Sequence, residues 1–190
     1  PAGKSATVTG GTYGWSIDED TELVNLQNSI LNGEVVTREP AYYAGGTAAA
    51  HSGQDWGNTY AEVDMSAQHM WYVQNGQVVL ETDVVTGEPI PSKITPEGVY
   101  SLMWKQPNSV LVGDINPDTG EPAYRTKVKY WMQVTSSGVG FHDATWQTAF
   151  GGTLYQIPGT GSHGCINMPL DQAGALFNMI EPGTPVIFHW

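Results

Sequence analysis

The residues best suited to chemistry in this chain surround its single cysteine, Cys165, within the stretch 162–168 (Ser-His-Gly-Cys-Ile-Asn-Met). One histidine, His163, stands two positions before the cysteine, and a second, His142, lies further upstream. A free thiol titrates near about pH 8.5, so it needs a nearby base to react as a thiolate at neutral pH. One cysteine with separate histidines therefore predicts a catalytic nucleophile, although spacing alone leaves open a small buried apolar cysteine.

The turn that carries the cysteine has features suited to acyl transfer. Gly164 has no side chain, so a substrate can come close to the backbone, whose N–H groups can donate to a developing oxyanion. Either His142 or His163 could accept the thiol proton, although His163 could instead only hydrogen-bond the backbone. Asp143 stands beside His142, but triads are defined by geometry rather than adjacency, and we expect its carboxylate to point to solvent.

Helices and short strands are predicted to position these groups. Apolar spacing predicts one helix over 18–31, capped by Asp18 or Asp20, and a second over 170–180. The dipeptide Asn75-Gly76 predicts a two-residue type I′ turn between two strands, because both positions need positive φ. The strands are predicted at 34–43, 60–65, 69–73, 77–85, 98–103, 130–134 and 184–189.

The composition limits the function classes. Of the 190 residues 40% are apolar, so one domain, or a small domain with part of another, can bury a core. The net charge is −12 and lysine and arginine are nowhere clustered, which excludes nucleic acid because phosphate binding needs a basic surface. No apolar run is long enough to span a membrane, so we expect no membrane contact within this fragment.

No metal site is predicted. The other histidines, His51, His69 and His189, share no ligand spacing, and no cysteine or glutamate completes a zinc set. The acidic stretch 114–121 resembles the start of a calcium loop, but its glycine falls one position late, a proline interrupts it and an arginine occupies the twelfth position. An acidic surface turn is the better interpretation, and we expect no metal and no organic cofactor.

The stretch 162–167 resembles the signature of the L,D-transpeptidase (YkuD-type) family of bacterial cell-wall enzymes, which pairs Ser/Thr-His-Gly-Cys with an upstream histidine, here His142. The resemblance runs from about residue 59 to residue 190. Many members carry arginine where Asn167 stands, and the asparagine is similar to the branch of the family found in Gram-positive bacteria. The nineteen residues between His142 and Ser162 indicate a larger loop over the site. Other segments similar to the family are Tyr-Ala-Glu-Val-Asp-Met at 60–65, Gln-His-Met-Trp-Tyr at 68–72, Thr-Pro-Glu-Gly at 95–98 and Gly-Thr-Pro-Val-Ile at 183–187.

The resemblance implies a fold that is mostly β with some α structure. We expect a YkuD-like β-sandwich or barrel with one main helix, preceded by part of an α+β domain. Residues 1–57 would be the C-terminal part of that preceding domain or a linker, and residues 58–190 the L,D-transpeptidase catalytic domain. The resemblance also implies an extracellular, cell-wall-associated protein that is anchored to the membrane through a segment outside this chain.

The resemblance assigns roles by position in the motif. Cys165 would be the nucleophile and His142 the general base, while His163 and Ser162 would order the turn or assist the base. Ser162, Gly164 and Asn167 would contact the substrate or the oxyanion. The tryptophans that we expect near a peptidoglycan groove are Trp71, Trp104, Trp131 and Trp146.

The implied reaction is a two-step acyl transfer through a cysteine thioester. D-Ala would leave a peptidoglycan stem, and an amine of a second stem would then form a 3→3 cross-link. The implied partners are stem peptides as donor and acceptor, and β-lactam inhibitors of the carbapenem class. Two alternatives stay open: an L,D-carboxypeptidase or endopeptidase that uses water at the same site, and a non-enzymatic wall-binding module.

Overall fold

The computed structural model describes residue 3, residues 5–44 and residues 56–190, and the regular structure of these residues is mostly β. The helices are Glu19–Leu31 (α1) and Leu170–Met179 (α2), with a short 3₁₀ helix at Leu154–Gln156. The strands are Trp15–Ile17 (β1), Tyr42–Ala44 (β2), Tyr60–Asp64 (β3), His69–Gln74 (β4), Gln77–Asp83 (β5), Gly98–Ser101 (β6), Trp104–Val112 (β7), Arg125–Gln133 (β8), Gly140–Asp143 (β9), Ile166–Met168 (β10) and Pro185–His189 (β11).

The larger sheet has five strands in the order β5-β4-β3-β11-β6. Strands β3, β4 and β5 form successive antiparallel hairpins, and the turn between β4 and β5 is Asn75-Gly76. Both turn residues have positive φ, 52° and 79°, which confirms the predicted turn chemistry. The last strand, β11, lies parallel to β3 and antiparallel to β6. The N-terminal segment covers the β6 edge, where Tyr13 donates to the carbonyl of Val99 at 2.9 Å.

The smaller sheet carries the residues of the sequence motif and has the order β10-β9-β8-β7. Strands β7 and β8 form a long antiparallel hairpin, and β9 pairs antiparallel with β8. Strand β10 runs parallel to β9, with Asn167 opposite His142. A two-stranded sheet of β1 and β2 completes the β structure described here.

The core lies between the five-stranded sheet and the four-stranded sheet, and against α2. This helix packs on β5, β8 and β9, and its Leu176 and the residue at its C-terminal end, Ile180, are completely buried. From the sheets, Tyr72, Phe141 and Phe188 are the largest buried side chains. The predicted class, a mostly β catalytic domain with one main helix, is therefore confirmed. No helix in the described ranges has the length and hydrophobicity that crossing a bilayer requires.

Helix α1 forms as predicted but buries none of its residues. Asp18 caps it by accepting a hydrogen bond from the N–H of Thr21 at 3.0 Å, and Gly33 follows it with φ of 63°. Its apolar side chains stay exposed, Leu31 at 83%. The predicted strand 34–43 is wrong for most of its length, because only Tyr42–Ala44 pairs with another strand. The expected boundary between residues 57 and 58 closely follows residues 45–55, which lie outside the described residues.

Three strands of the four-stranded sheet, β7, β9 and β10, were not predicted from the sequence. Strand β7 contains Pro107, which argued against a strand and is tolerated because β7 is an edge of the sheet. Strands β9 and β10 have only four and three residues and lie among glycines and turns. Strand β10 pairs with β9, Ile166 opposite Phe141, and local patterns do not show a pairing over such a separation.

Candidate active site

Cys165 and His142 come from the two parallel strands of the smaller sheet. Cys165 immediately precedes β10, and His142 is the third residue of β9. The parallel register brings the start of β10 beside β9, so the two side chains reach the same cleft. The structure thus brings together the cysteine and histidine that lie 23 positions apart in the sequence.

The thiol of Cys165 is held in its protonated form. Its Sγ donates to the carbonyl oxygen of Gly138 at 3.5 Å. Burial raises the pKa of the Cys165 thiol to about 11, and a backbone hydrogen bond from Gly140 opposes that rise only in part. The S–H must therefore leave Gly138 before its proton can reach a base.

The imidazole of His142 is buried at 4% exposure and lies between two indoles. Its ring centroid lies 6.0 Å from that of Trp131 and 5.8 Å from that of Trp146. Nδ1 lies 3.0 Å from the backbone oxygen of Asp143, which can only accept, so Nδ1 carries a proton and Nε2 has the free lone pair. Burial lowers the pKa of His142, and its contacts with Asp143 oppose that effect. At neutral pH the ring is therefore a neutral base.

The Asp143 carboxylate does not point to solvent, and that expectation was wrong. The residue is 2% exposed, and its Oδ1 accepts hydrogen bonds from the backbone N–H groups of Lys129 and Tyr130, both at 2.8 Å. The backbone pairing of β8 with β9 stops at Trp131 and His142. Beyond that point the Asp143 carboxylate accepts the hydrogen bonds of the β8 backbone. Asp143 thus orients His142 through its backbone carbonyl, while its side chain fastens that carbonyl to β8.

Ser162 and Gly164 shape the turn before the cysteine. The hydroxyl of Ser162 donates to the carbonyl of Cys165 and accepts from the N–H of Gly164 at 3.0 Å. Gly164 has φ of +115°, and a Cβ there would lie 3.2 Å from Cγ2 of Val139. Only glycine fits this position without strain. These contacts agree with the expectation that Ser162 orders the turn.

His163 and Asn167 lie on the same cleft but in different surroundings. His163 is exposed, and its ring packs against Tyr124 with centroids 5.1 Å apart. Asn167 is buried, and its side-chain amide donates to Oε1 of Gln147 in the loop that follows β9. The buried Asn167 therefore forms part of the cleft wall, and the exposed His163 lies at the rim of the cleft.

Two clefts meet at Cys165. The first has a volume of about 240 Å³ and the second about 400 Å³. Both are lined by Leu111, Tyr124 and Cys165, and neither is lined by a lysine, arginine, aspartate or glutamate. Trp71 lies on neither: its indole donates to Glu81 on the larger sheet, so its expected place near the groove was wrong. The tryptophans on the clefts are Trp146 in the first, and Trp104 and Trp131 in the second.

The remaining histidines and the acidic stretch have structural contacts. His69 bonds Asp83 at 2.7 Å, and His189 bonds Glu62 at 3.1 Å. His51 lies outside the described residues. The stretch 114–121 is the exposed connection between β7 and β8, closed by its own backbone hydrogen bonds. Within the described ranges, no three acidic, histidine or cysteine side chains are arranged to hold a metal ion.

Several residues of the site were not singled out from the sequence. Gly138 and Gly140 contact the sulfur, and a Cβ at Gly140 would lie 2.2 Å from the carbonyl of Met132. A glycine on either side of Val139, close before the histidine, was the available signal. Leu111 and Tyr124 line both clefts from the hairpin of β7 and β8, and nothing in their sequence context marks them.

This arrangement supports nucleophilic acyl transfer. Sγ can attack a carbonyl while Nε2 of His142 takes the thiol proton, and the backbone N–H of Cys165 can donate to the oxyanion. The described residues supply each of these parts without a charged side chain on the cleft walls.

Comparison with known proteins agrees with this geometry. A crystal structure of a cysteine-to-serine mutant of Enterococcus faecium L,D-transpeptidase is 41% identical, with a TM-score of 0.80, over 99% of this chain and 71% of that chain. The E. faecium catalytic domain acylated by ertapenem is 46% identical, with a TM-score of 0.58, over 69% of this chain and 96% of that one. L,D-transpeptidase 1 of Mycobacterium tuberculosis is 30% identical over 126 residues, 64% of this chain and 47% of the relative.

The chain spans less than half the length of the curated mycobacterial relatives it matches. The sequence model of the YkuD family, described as the L,D-transpeptidase catalytic domain, matches residues 58–188. That span contains Cys165, His142 and both clefts, and we conclude that the chain belongs to the YkuD family of L,D-transpeptidase catalytic domains.

Proposed function

We propose that this domain forms 3→3 peptidoglycan cross-links by acyl transfer through Cys165. The observation that carries the proposal is the pairing of a protonated thiol and a neutral imidazole, on adjacent parallel strands, at one cleft. The donor is a tetrapeptide stem and the acceptor is an amine of a second stem. Membership of an enzyme family sets aside the wall-binding alternative.

The first half-reaction forms the thioester. Nε2 of His142 takes the proton of the Cys165 thiol as Sγ bonds to the carbonyl carbon of the third stem residue. The carbonyl oxygen becomes an oxyanion held by backbone N–H groups of the turn. The bond to D-Ala then breaks, and the imidazolium returns its proton to the leaving amine.

The second half-reaction reverses these roles. The acceptor amine attacks the thioester carbonyl and gives a proton to Nε2 of His142. The C–S bond breaks, Cys165 regains a proton from the imidazolium, and the new amide is the cross-link. Water in place of the amine gives hydrolysis, so the acceptor decides between transpeptidase and carboxypeptidase.

The test is mass spectrometry of the intact protein after mixing with a tetrapeptide stem. We expect an acyl adduct on Cys165, release of D-Ala, and a cross-linked dimer when an acceptor stem is present. Cys165→Ala removes the nucleophile, so turnover falls to the background rate while the circular dichroism spectrum stays that of the parent. Cross-linking by Cys165→Ala would overturn the proposal. Hydrolysis alone, with acceptor present, would favour the carboxypeptidase.

A relative that reacts with a carbapenem supports the proposal that Cys165 is the nucleophile. The E. faecium relative is described as acylated by ertapenem, and we propose that carbapenems acylate Cys165 here. The strained ring carbonyl takes the place of the scissile amide, and the adduct is a thioester. Ertapenem should therefore add its mass to the parent and not to Cys165→Ala.

We also propose the wider setting of the domain. Residues 58–190 form the catalytic domain and residues 1–57 the end of a preceding domain or linker, a division supported by the matched span 58–188. The reaction requires access to peptidoglycan, which supports a place at the cell wall with a membrane anchor outside this chain. Fractionation of the producing cells tests this, and recovery in the cytosol would contradict it.

A further inference from the structure

The hydroxyl of Thr95 connects a distant loop to the nucleophile turn. It donates to the carbonyl oxygen of Gly164 at 2.8 Å and accepts from the N–H of Gly87 at 3.0 Å. Thr95 is 1% exposed and lines neither cleft. It therefore contacts the turn from beneath, on the side away from the substrate.

The loop and the turn are packed backbone against backbone at this point. A Cβ on Gly87 would lie 1.9 Å from the carbonyl oxygen of Lys93 and 3.0 Å from Cα of Gly164. Gly87 also pairs with Ser162 as an isolated bridge. Two glycines thus allow Thr95 to come within hydrogen-bond distance of the turn, and the contact is built into the fold rather than made by a mobile side chain.

This contact fixes a peptide plane that matters for the reaction. Peptide bonds in the described part of the chain are trans, so the N–H of Cys165 points opposite to the carbonyl of Gly164. Since Thr95 holds that carbonyl from beneath, the N–H of Cys165 is directed toward the cleft side. A donor that is aimed before the reaction begins stabilises an oxyanion without reorganisation.

We propose that Thr95 is a positioning residue for oxyanion stabilisation, acting through the Gly164–Cys165 peptide. The inference rests on the proposed acyl transfer at Cys165. A threonine hydroxyl donates once and accepts once here, so it holds both Gly87 and Gly164. Valine has the same shape but neither capacity, and it would leave the peptide plane free to rotate.

The test compares two reactions of the same sulfur. Acylation by ertapenem passes through an oxyanion, whereas alkylation by iodoacetamide displaces iodide and forms no oxyanion. We expect Thr95→Val to slow acylation by about 10- to 100-fold and to leave alkylation within about twofold of the parent rate. Thr95→Ser keeps the hydroxyl and should restore the parent acylation rate.

The matched control is Thr86→Val. Thr86 is equally buried in the same loop, but its hydroxyl accepts from Gln68 at 2.7 Å and does not contact Gly164. We expect this variant to keep the parent ratio of acylation to alkylation. If Thr95→Val does not fold, Thr95→Ala, which leaves room for a water, is measured by the same criterion.

Two results would overturn the inference while leaving the proposed function intact. One is an unchanged acylation rate in Thr95→Val, and the other is an equal loss of acylation and alkylation, which indicates a merely structural role. A parent protein that ertapenem does not acylate would contradict the proposed function, and this inference with it.

Discussion

Burial keeps both reacting side chains uncharged at neutral pH, because it raises the pKa of the Cys165 thiol to about 11 and lowers the pKa of His142. A preformed thiolate–imidazolium pair is therefore absent at rest. The attack has to couple proton transfer to bond formation, with His142 as a general base. The orientation of Nε2, set by the bond from Nδ1 to Asp143, then controls the reaction.

The pH dependence of kcat/KM follows from these shifts. His142 must be neutral to act as a base, and its lowered pKa places the loss of activity below its ordinary value of about 6.5. We expect activity to fall only on the acid side, with no loss up to about pH 9. Initial rates of D-Ala release from about pH 4 to about pH 9 check this. A bell-shaped pH profile of kcat/KM centred near neutrality would instead indicate a thiolate–imidazolium ion pair of Cys165 and His142.

Asp143 provides a second test at the residue scale. Asp143→Ala leaves the N–H groups of Lys129 and Tyr130 without their acceptor, so we expect a loss of about 2–3 kcal/mol in unfolding free energy. The carbonyl that orients His142 is released too, and kcat should fall about 10- to 100-fold. Asp143→Asn keeps an oxygen acceptor and should retain most of both. Nitrogen-15 shifts of His142 report the tautomer, and an unchanged tautomer in Asp143→Ala would contradict the positioning role.

At the scale of elements, β7 supports α2 as well as the clefts. Helix α2 ends without a glycine cap and without a basic residue in its last turn. Lys105 of β7 supplies the missing cap. Its Nζ donates to the carbonyls of Phe177 and Ile180 at 3.0 and 2.7 Å and forms an ion pair with Glu181. The lysine thereby joins the edge of the smaller sheet to the helix that covers the core.

Lys105→Met keeps the aliphatic stem and removes the charged donor. We expect a loss of about 1–3 kcal/mol in unfolding free energy, because two helix carbonyls lose their partner in a partly buried place. Chemical denaturation measures it. Lys127→Met, on the neighbouring strand and exposed, is the matched control and should change stability by less than about 0.5 kcal/mol. Equal effects in the two variants would show that Lys105 is not a helix cap.

Local patterns could predict some elements and not others. The turn at Asn75-Gly76 and the cap at Asp18 depend on neighbouring residues, and both are as predicted. The burial of Asp143 depends on β8, and the bond of Thr95 to Gly164 joins residues 69 positions apart. Local sequence patterns do not indicate contacts between residues on different strands or loops. The cysteine and histidine could be assigned because the family motif carries the information about their meeting in space.

At the scale of the whole molecule, the first and last strands of the catalytic region are neighbours. Strand β11 lies parallel to β3, and the buried His189 joins them by a contact of 3.1 Å with the partly buried Glu62. The hydrogen bond to Glu62 raises the pKa of His189. A raised pKa in the folded state means that protonation of His189 favours folding.

Stability should therefore depend on pH in a stated direction. The contribution of His189 is complete below its ordinary pKa of about 6.5, and it is lost as pH rises through the raised value in the folded state. Between about pH 5.5 and about pH 9 this contribution should be lost, and comparison of the parent with Glu62→Gln separates it from the opposite contribution of His142, whose pKa is lowered. Glu62→Gln should flatten that difference, while Glu121→Gln, exposed in the connection between β7 and β8, is the matched control. A Glu62→Gln protein with the parent's pH dependence would contradict the assignment.

The burial of the Cys165 thiol has a consequence for its resistance to oxidation. With a pKa of about 11, about one thiol in ten thousand is ionised at neutral pH. Peroxides and disulfides react with the ionised form, so the resting enzyme presents them almost no target. A catalytic domain with one cysteine in its sequence has no second thiol to resolve an oxidised sulfur, so a reactive resting thiolate would be exposed to inactivation. In the proposed reaction the thiol loses its proton to His142 only as Sγ bonds to a substrate carbonyl, so the same burial that keeps the thiol protonated preserves the sulfur between turnovers.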